Sequence, residues 1–164
     1  MKYDPNIHHR RSIRLVGYDY ARSGAYFITI CTHNRQCIFG DIVEEVMNLN
    51  ELGNIVRAHW QDLEKHHPNV EIDESIVMPN HLHGIISLDG RSDDRLKSIS
   101  EIIRGFKTFS ARRINKILDR KGTPIWQRNY YERIVRTEDE LENVRHYIIN
   151  NPMNWDTDTD RHHP

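Results

Sequence analysis

Two histidines one residue apart, His81 and His83, sit in the run Val77-Met78-Pro79-Asn80-His81-Leu82-His83-Gly84-Ile85-Ile86. In extended backbone alternate side chains share a face, so the two imidazoles point one way and Leu82, Gly84 and Ile86 the other. Neutral imidazole is a common metal ligand, and two rings held on one strand offer a chelating surface to a divalent cation. Met78-Pro79-Asn80 reads as a tight turn, because proline presets φ and asparagine tolerates turn geometry, and this places the pair at the mouth of a hairpin. The plainer reading is a half-exposed strand in a chain that carries 11 histidines.

A second group with chemistry lies near the carboxyl end. On a helix, Leu141, Val144 and Ile148 form an apolar stripe, and Tyr147 flanks its centre at about 100°. Asn151, four residues on, lies on the same side as Tyr147. A tyrosine beside a core stripe is ordinarily a packing residue with a wet hydroxyl. Its phenol, with an unperturbed pKa near 10, becomes a useful nucleophile only when a neighbour assists, and a cation held by histidines would do so by polarising a phosphate. Asn151 offers its amide oxygen as a third ligand, or it simply ends the helix before Pro152.

These groups need elements to carry them. Ala25-Tyr26-Phe27-Ile28-Thr29-Ile30-Cys31-Thr32, following Gly24, is a β-branched and aromatic run that reads as a mostly buried first strand. Residues 33–45 look like a loop with a short strand near Ile38-Phe39. Asn50 then precedes a helical pattern through Leu52, Ile55, Val56, His59, Trp60 and Leu63, ending ahead of Pro68. Residues 70–78 and 81–88 make the second and third strands, and a polar connector spans 89–95. A long helix runs from about Ser98 to Leu118, with Ile99, Ile102, Ile103, Phe106, Phe109, Ala111, Ile114 and Ile117 facing inward. Gly122-Thr123-Pro124 breaks it; Ile125-Trp126-Gln127 and Tyr130 to Val135 supply the last strand. Thr137, with Glu140 three residues on, caps a final helix from about Glu138 to Asn150. The order strand, helix, strand, strand, helix, strand, helix points to an α+β ferredoxin-like sandwich: an antiparallel sheet of about four strands, helices packed on one face, and a C-terminal helix that carries the tyrosine.

Composition bounds the rest. With 164 residues, 37% hydrophobic and 29% charged, the chain fits a single domain over 1–164. Residues 1–24, with Arg10, Arg11, Arg14 and Arg22, show little periodicity; 1–17 read as an irregular arm and 156–164 as a polar tail. No run approaches the roughly 18 consecutive apolar residues of a membrane span, and the polar opening is unlike a secretory signal, so the expectation is a cytoplasmic protein. Cys31 and Cys37 lack a second pair, which argues against a structural zinc site. The net charge is −1, but between Lys97 and Lys121 eight basic residues stand against Glu101 and Asp119, a local net of +6. Arg104, Lys107, Arg112, Arg113, Lys116 and Arg128 are candidates for tracking a phosphate backbone, while Trp126, Tyr130 and Tyr131 could stack on unpaired bases. Solvation and ordinary packing are the plainer readings of both groups.

Taken together, Tyr26-Phe27-Ile28-Thr29, Met78 to Ile85, Gly105-Phe106-Lys107, Trp126-Gln127-Arg128-Asn129-Tyr130-Tyr131-Glu132-Arg133-Ile134 and Tyr147-Ile148-Ile149-Asn150-Asn151-Pro152 resemble the REP-associated tyrosine transposases. These are single-tyrosine members of the His-hydrophobe-His endonuclease superfamily. The similarity runs in order over roughly residues 18–155. It implies a tyrosine that attacks a phosphodiester of single-stranded or hairpin DNA, leaving a 5′-phosphotyrosine link and a free 3′-hydroxyl, with Mg²⁺ or Mn²⁺ as cofactor. Carried over by position, His81 and His83 match the metal-binding pair and Tyr147 the nucleophile. Asn151 stands where related transposases have a glutamine ligand, so a shorter amide must reach further. The resemblance is compatible with a monomer or a homodimer. A non-catalytic single-stranded nucleic-acid binding module on the same fold is the alternative, recognisable by binding without metal or cleavage. A hydrolytic metalloenzyme using metal-bound water would turn over with no covalent adduct.

Overall fold

The computed structural model describes residues 24–90 and 95–157. The arginine-bearing arm, positions 91–94 of the connector and 158–164 of the tail lie outside the described residues. In chain order the elements are β1 (Gly24–Cys31), β2 (Gly40–Val43), β3 (Val46–Leu49), α1 (Glu51–Gln61), α2 (Leu63–His66), β4 (Val70–Met78), β5 (His81–Leu88), α3 (Ile99–Ile117), β6 (Tyr131–Val135) and α4 (Glu138–Ile149), with a 3-10 segment over Asn151–Thr157. An antiparallel sheet in the order β4-β5-β1-β6 forms the centre. Pairing of Met78 with His81 leaves Pro79 and Asn80 as a two-residue turn, as the sequence implied.

The caps follow from local chemistry. The Asn50 side chain accepts from Gly53 N at the start of α1, and Ser98 and Glu101 form a reciprocal capping box on α3. At α4 the Thr137 hydroxyl accepts from Glu140 N, but the Glu140 carboxylate accepts from Arg136 N instead of closing the box.

Each face of the sheet has its own core. On one, Ile28, Ile30, Leu82 and Ile86 meet Val56 and Trp60 of α1 and Ile102, Ile103, Phe106 and Ile114 of α3. On the other, Ala25, Phe27, Ile85 and Val135 meet Leu141, Val144 and Ile148 of α4. Strand alternation assigns the faces: Leu82 and Ile86 go to the α1/α3 side, His81, His83 and Ile85 to the α4 side. Gly84 permits the close approach of Trp60, since a Cβ there would lie 2.4 Å from Trp60 Cζ2.

Three local expectations need correction. Residues 40–49 form a separate hairpin, β2–β3, turned by Glu44 and Glu45 at φ 49° and 62°; two glutamates carry none of the glycine or asparagine signal that such turns normally show. Ile125-Trp126-Gln127 is not sheet material, because only an isolated bridge joins Trp126 to Thr32. Phe109 is 58% exposed rather than part of the inward face of α3, and the Arg112 guanidinium lies 5.9 Å from its ring centroid.

Candidate functional site

The β4–β5 hairpin and α4 bring the expected groups together. His81 and His83 have ring centroids 4.4 Å apart, and both are buried. Tyr147, 44% exposed, places its hydroxyl 3.5 Å from His83 Nε2. Its ring stands edge-on to Phe27 at 5.9 Å, which holds the phenol at the rim of the sheet rather than in the core.

The histidines are oriented from behind. His83 Nδ1 lies 2.7 Å from Thr29 Oγ1, its cross-strand partner on β1. His81 Nδ1 donates to Asn80 Oδ1 over 2.7 Å, while Asn80 Nδ2 donates to the Arg35 carbonyl and keeps that amide in register. An amide oxygen only accepts, so Nε2 is the nitrogen that His81 would offer to a cation. Burial, and then the neighbouring His81, holds the His83 pKa well below the usual histidine value, so the ring is a neutral ligand at physiological pH. Thr29 and Asn80 escaped the sequence reading: Asn80 looked like a turn residue, and the partner of His83 depends on strand register.

Two histidines are only part of a coordination sphere, and among the described residues no cluster of three His, Cys, Asp or Glu side chains completes it. Asn151 is buried at the start of the 3-10 segment, and its Oδ1 has no hydrogen-bond partner there. Four residues on, Trp155 stacks near His81 with centroids 6.1 Å apart. Two buried imidazoles and an uncommitted buried amide oxygen are a donor set that suits a divalent cation.

α4 is tied down two residues before the tyrosine. Arg145 donates from Nε and Nη2 to both carboxylate oxygens of Asp73, at 2.9 and 2.6 Å, and also pairs with Glu142. Asp73 follows Ile72, which faces the α1/α3 core, so strand alternation turns its carboxylate toward α4, and the β4–β5 register shifts there, between Ile72 and Ser75.

A cleft of about 480 Å³ opens in front of Tyr147 and His83. Arg35, Gln127, Asn129 and Tyr131 line its walls; Arg35 lies outside the basic run and went unnoticed in the sequence. The basic residues of α3 are placed differently. Arg104, Arg112, Arg113 and Lys116 are exposed on a helix whose buried side packs against the opposite face of the sheet, away from the histidines. Arg128 is exposed in the loop beside the cleft.

Two expected DNA contacts, Trp126 and Lys107, are corrected. Trp126 is buried, donates from Nε1 to Ser110 Oγ at 3.0 Å and packs against Phe39 and Phe106, which leaves no open face for a base. Lys107 Nζ is spent on the carbonyls of Gln127, Arg128 and Asn129 at 2.6, 3.0 and 3.5 Å, and burial lowers its pKa. Tyr130, half-buried, lines the cleft with Tyr131; its hydroxyl donates to Glu132 and it leans on the α3-side core, whereas Tyr131 beside it is 54% exposed.

Comparison with known proteins places the chain. A Haemophilus influenzae relative known only as an uncharacterized protein is 43% identical over 177 residues, covering 96% of both chains. A second protein from that organism, named "Putative REP-associated tyrosine transposase", is 25% identical over 82% of this chain and 73% of its own length. The solved structure of a REP-associated tyrosine transposase bound to a REP hairpin shares the fold, with a TM-score of 0.60 and 22% identity over 87% of this chain and 74% of the other. The family model described as "Transposase IS200 like" matches residues 21–151, most of the chain and every element from β1 to α4, and the protein belongs to the IS200-like transposase family.

Proposed function

We propose that this transposase cleaves and rejoins single-stranded or hairpin DNA through a covalent 5′-phosphotyrosine formed on Tyr147. The observation that carries the reading is the approach of the Tyr147 hydroxyl to His83 Nε2, 3.5 Å, across 64 positions of chain. Attack of Tyr147 Oη on a phosphodiester would form the phosphotyrosine bond and release the 3′-oxygen as a hydroxyl. Rejoining reverses the exchange, and because one ester replaces another, no external energy source is needed. A solvent-facing phenol at the mouth of a cleft is placed for in-line approach, and the edge contact with Phe27 limits how far it can swing.

His81, His83 and Asn151 are the residues that would hold Mg²⁺ or Mn²⁺. Such an ion, when bound, supplies polarisation of the phosphate and neutralisation of charge as the ester exchanges. Thr29 and Asn80 keep the two rings in their ligating orientation, and burial holds the His83 pKa well below the usual histidine value. Arg35, on the cleft wall, is positioned to neutralise backbone phosphate. The hairpin held by the solved structural neighbour accords with this substrate class.

The test is incubation of the full chain with short single-stranded hairpin oligonucleotides and Mn²⁺, read on a denaturing gel. The expected result is a protein–DNA adduct that survives denaturation and disappears in Tyr147→Phe while DNA binding persists. An adduct retained by that variant removes Tyr147 from the chemistry. Binding without any adduct in the unaltered protein would favour a non-catalytic module instead.

A further inference from the structure

The loop that follows Trp126 is built in an uncommon way. Its backbone is fixed at both ends: Gln127 N donates to Cys31 O at 2.9 Å, and one lysine, Lys107, gathers the three successive carbonyls of Gln127, Arg128 and Asn129. An ammonium has three N–H donors, so this cluster accounts for all of them. A partly buried cation spent wholly on backbone holds a loop in one conformation and is withdrawn from solvent.

What the clamp presents is two amides. Gln127 and Asn129 line the cleft in front of Tyr147 and His83, and neither side chain makes a hydrogen bond among the described residues. Several other amides are committed: Asn50 caps α1, Asn115 Nδ2 donates to Thr123 O, and Asn54 Nδ2 donates to Asn50 O. Beside the two amides stands Tyr131, largely exposed and supported edge-on by Phe27 at 6.3 Å. An aromatic face next to paired donor and acceptor groups is the chemistry that recognises an unpaired nucleobase, by stacking on its ring and hydrogen bonding to its edge.

We propose that Gln127 and Asn129 read the identity of a base adjoining the scissile phosphate, with Tyr131 as its stacking platform and Lys107 as the positioning residue that presents them. This rests on the strand-cleavage reading of Tyr147. Selectivity is then carried by protein amides at the cleft wall, and Lys107 contributes without touching DNA.

The experiment uses the full chain, Mn²⁺ and single-stranded hairpin oligonucleotides that differ only at the nucleotides on either side of the cleaved bond, with adduct quantified on denaturing gels. The unaltered protein should prefer one base at one of these positions. Gln127→Ala and Asn129→Ala should each lower the ratio between best and worst base there by about tenfold, the discrimination ordinarily carried by a bidentate amide contact. Lys107→Met should lower the same ratio yet leave the slope of log affinity against log salt unchanged, and Lys107→Arg, which keeps cationic N–H donors, should recover part of it. Adduct formation with no base preference, or preference untouched in the two amide variants, overturns the proposal while leaving the cleavage reading intact. A salt slope that falls by about one in Lys107→Met would make that residue a phosphate contact and overturn its clamping role. No adduct on any oligonucleotide overturns the cleavage reading itself, and this proposal with it.

Discussion

Arg145 on α4 and Asp73 at the bulge of β4 form a bidentate ion pair 72 positions apart in sequence, two residues from the tyrosine they help to place. The pair belongs to the chain's own sheet and helix. It therefore sets both the rotation and the height of α4 over the histidines, because a guanidinium fork accepts a carboxylate in one plane only.

Removal of the Asp73 carboxylate leaves a guanidinium that is 4% exposed with only the more exposed Glu142 and Glu138 beside it, whereas removal of the guanidinium leaves a carboxylate closer to solvent, at 13%. Asp73→Ala should cost about 3 kcal/mol and lower the thermal midpoint by roughly 6 to 12 °C, with Arg145→Met costing less. Thermal unfolding of the two variants side by side checks the asymmetry; equal losses would mean that Glu142 and Glu138, whose carboxylates also approach Arg145 Nη1, carry the arginine.

Gly84 lies under the indole of Trp60, and a methyl group there would sit 2.4 Å from Cζ2. Gly84→Ala should destabilise the protein by about 2 kcal/mol through overpacking, and Trp60→Leu in the same chain should recover part of that loss. Denaturant midpoints of single and double variants measure the coupling.

Trp126 serves the core. Trp126→Phe should lower stability by about 1 to 2 kcal/mol, as the indole bond to Ser110 is lost, and leave DNA affinity within twofold of the unaltered protein. Unfolding curves paired with oligonucleotide titrations separate the two effects; a large fall in affinity at unchanged stability would restore Trp126 to the DNA surface.

Mn²⁺ should stabilise the folded protein by about 2.7 kcal/mol at a hundredfold excess over the dissociation constant, raising the unfolding midpoint, and a chelator should reverse the gain. Asn151→Ala should shift the titration to at least about tenfold higher Mn²⁺, since the third donor is gone. Thermal shift against Mn²⁺ concentration reads both; an identical titration in the variant would make Asn151 a helix terminator alone.

Much of this was legible along the chain. The alternation that puts His81 and His83 on one face depends only on the period of a strand, the Pro79-Asn80 turn on the φ preferences of its two residues, and the extent of α3 on the spacing of Ile99, Ile102, Ile103, Phe106 and Ile114. Apart from the β2–β3 hairpin, the order of elements and the stripe that leaves Tyr147 at the flank of α4 are likewise local. Such features follow from nearest neighbours, so a linear reading reaches them.

What no local pattern contains is which distant groups meet. Register across β1 and β5 pairs Thr29 with His83, the packing of α4 over β4 brings Arg145 to Asp73, and the descent of α3 past the 127–129 loop turns Lys107 from a surface charge into a backbone clamp. The same packing put the basic face of α3 behind the sheet and Trp126 inside it. A residue's type states what it can bond to; only the folded chain decides whether that partner is a base, a phosphate or its own backbone, because the choice is made by proximity across many tens of residues.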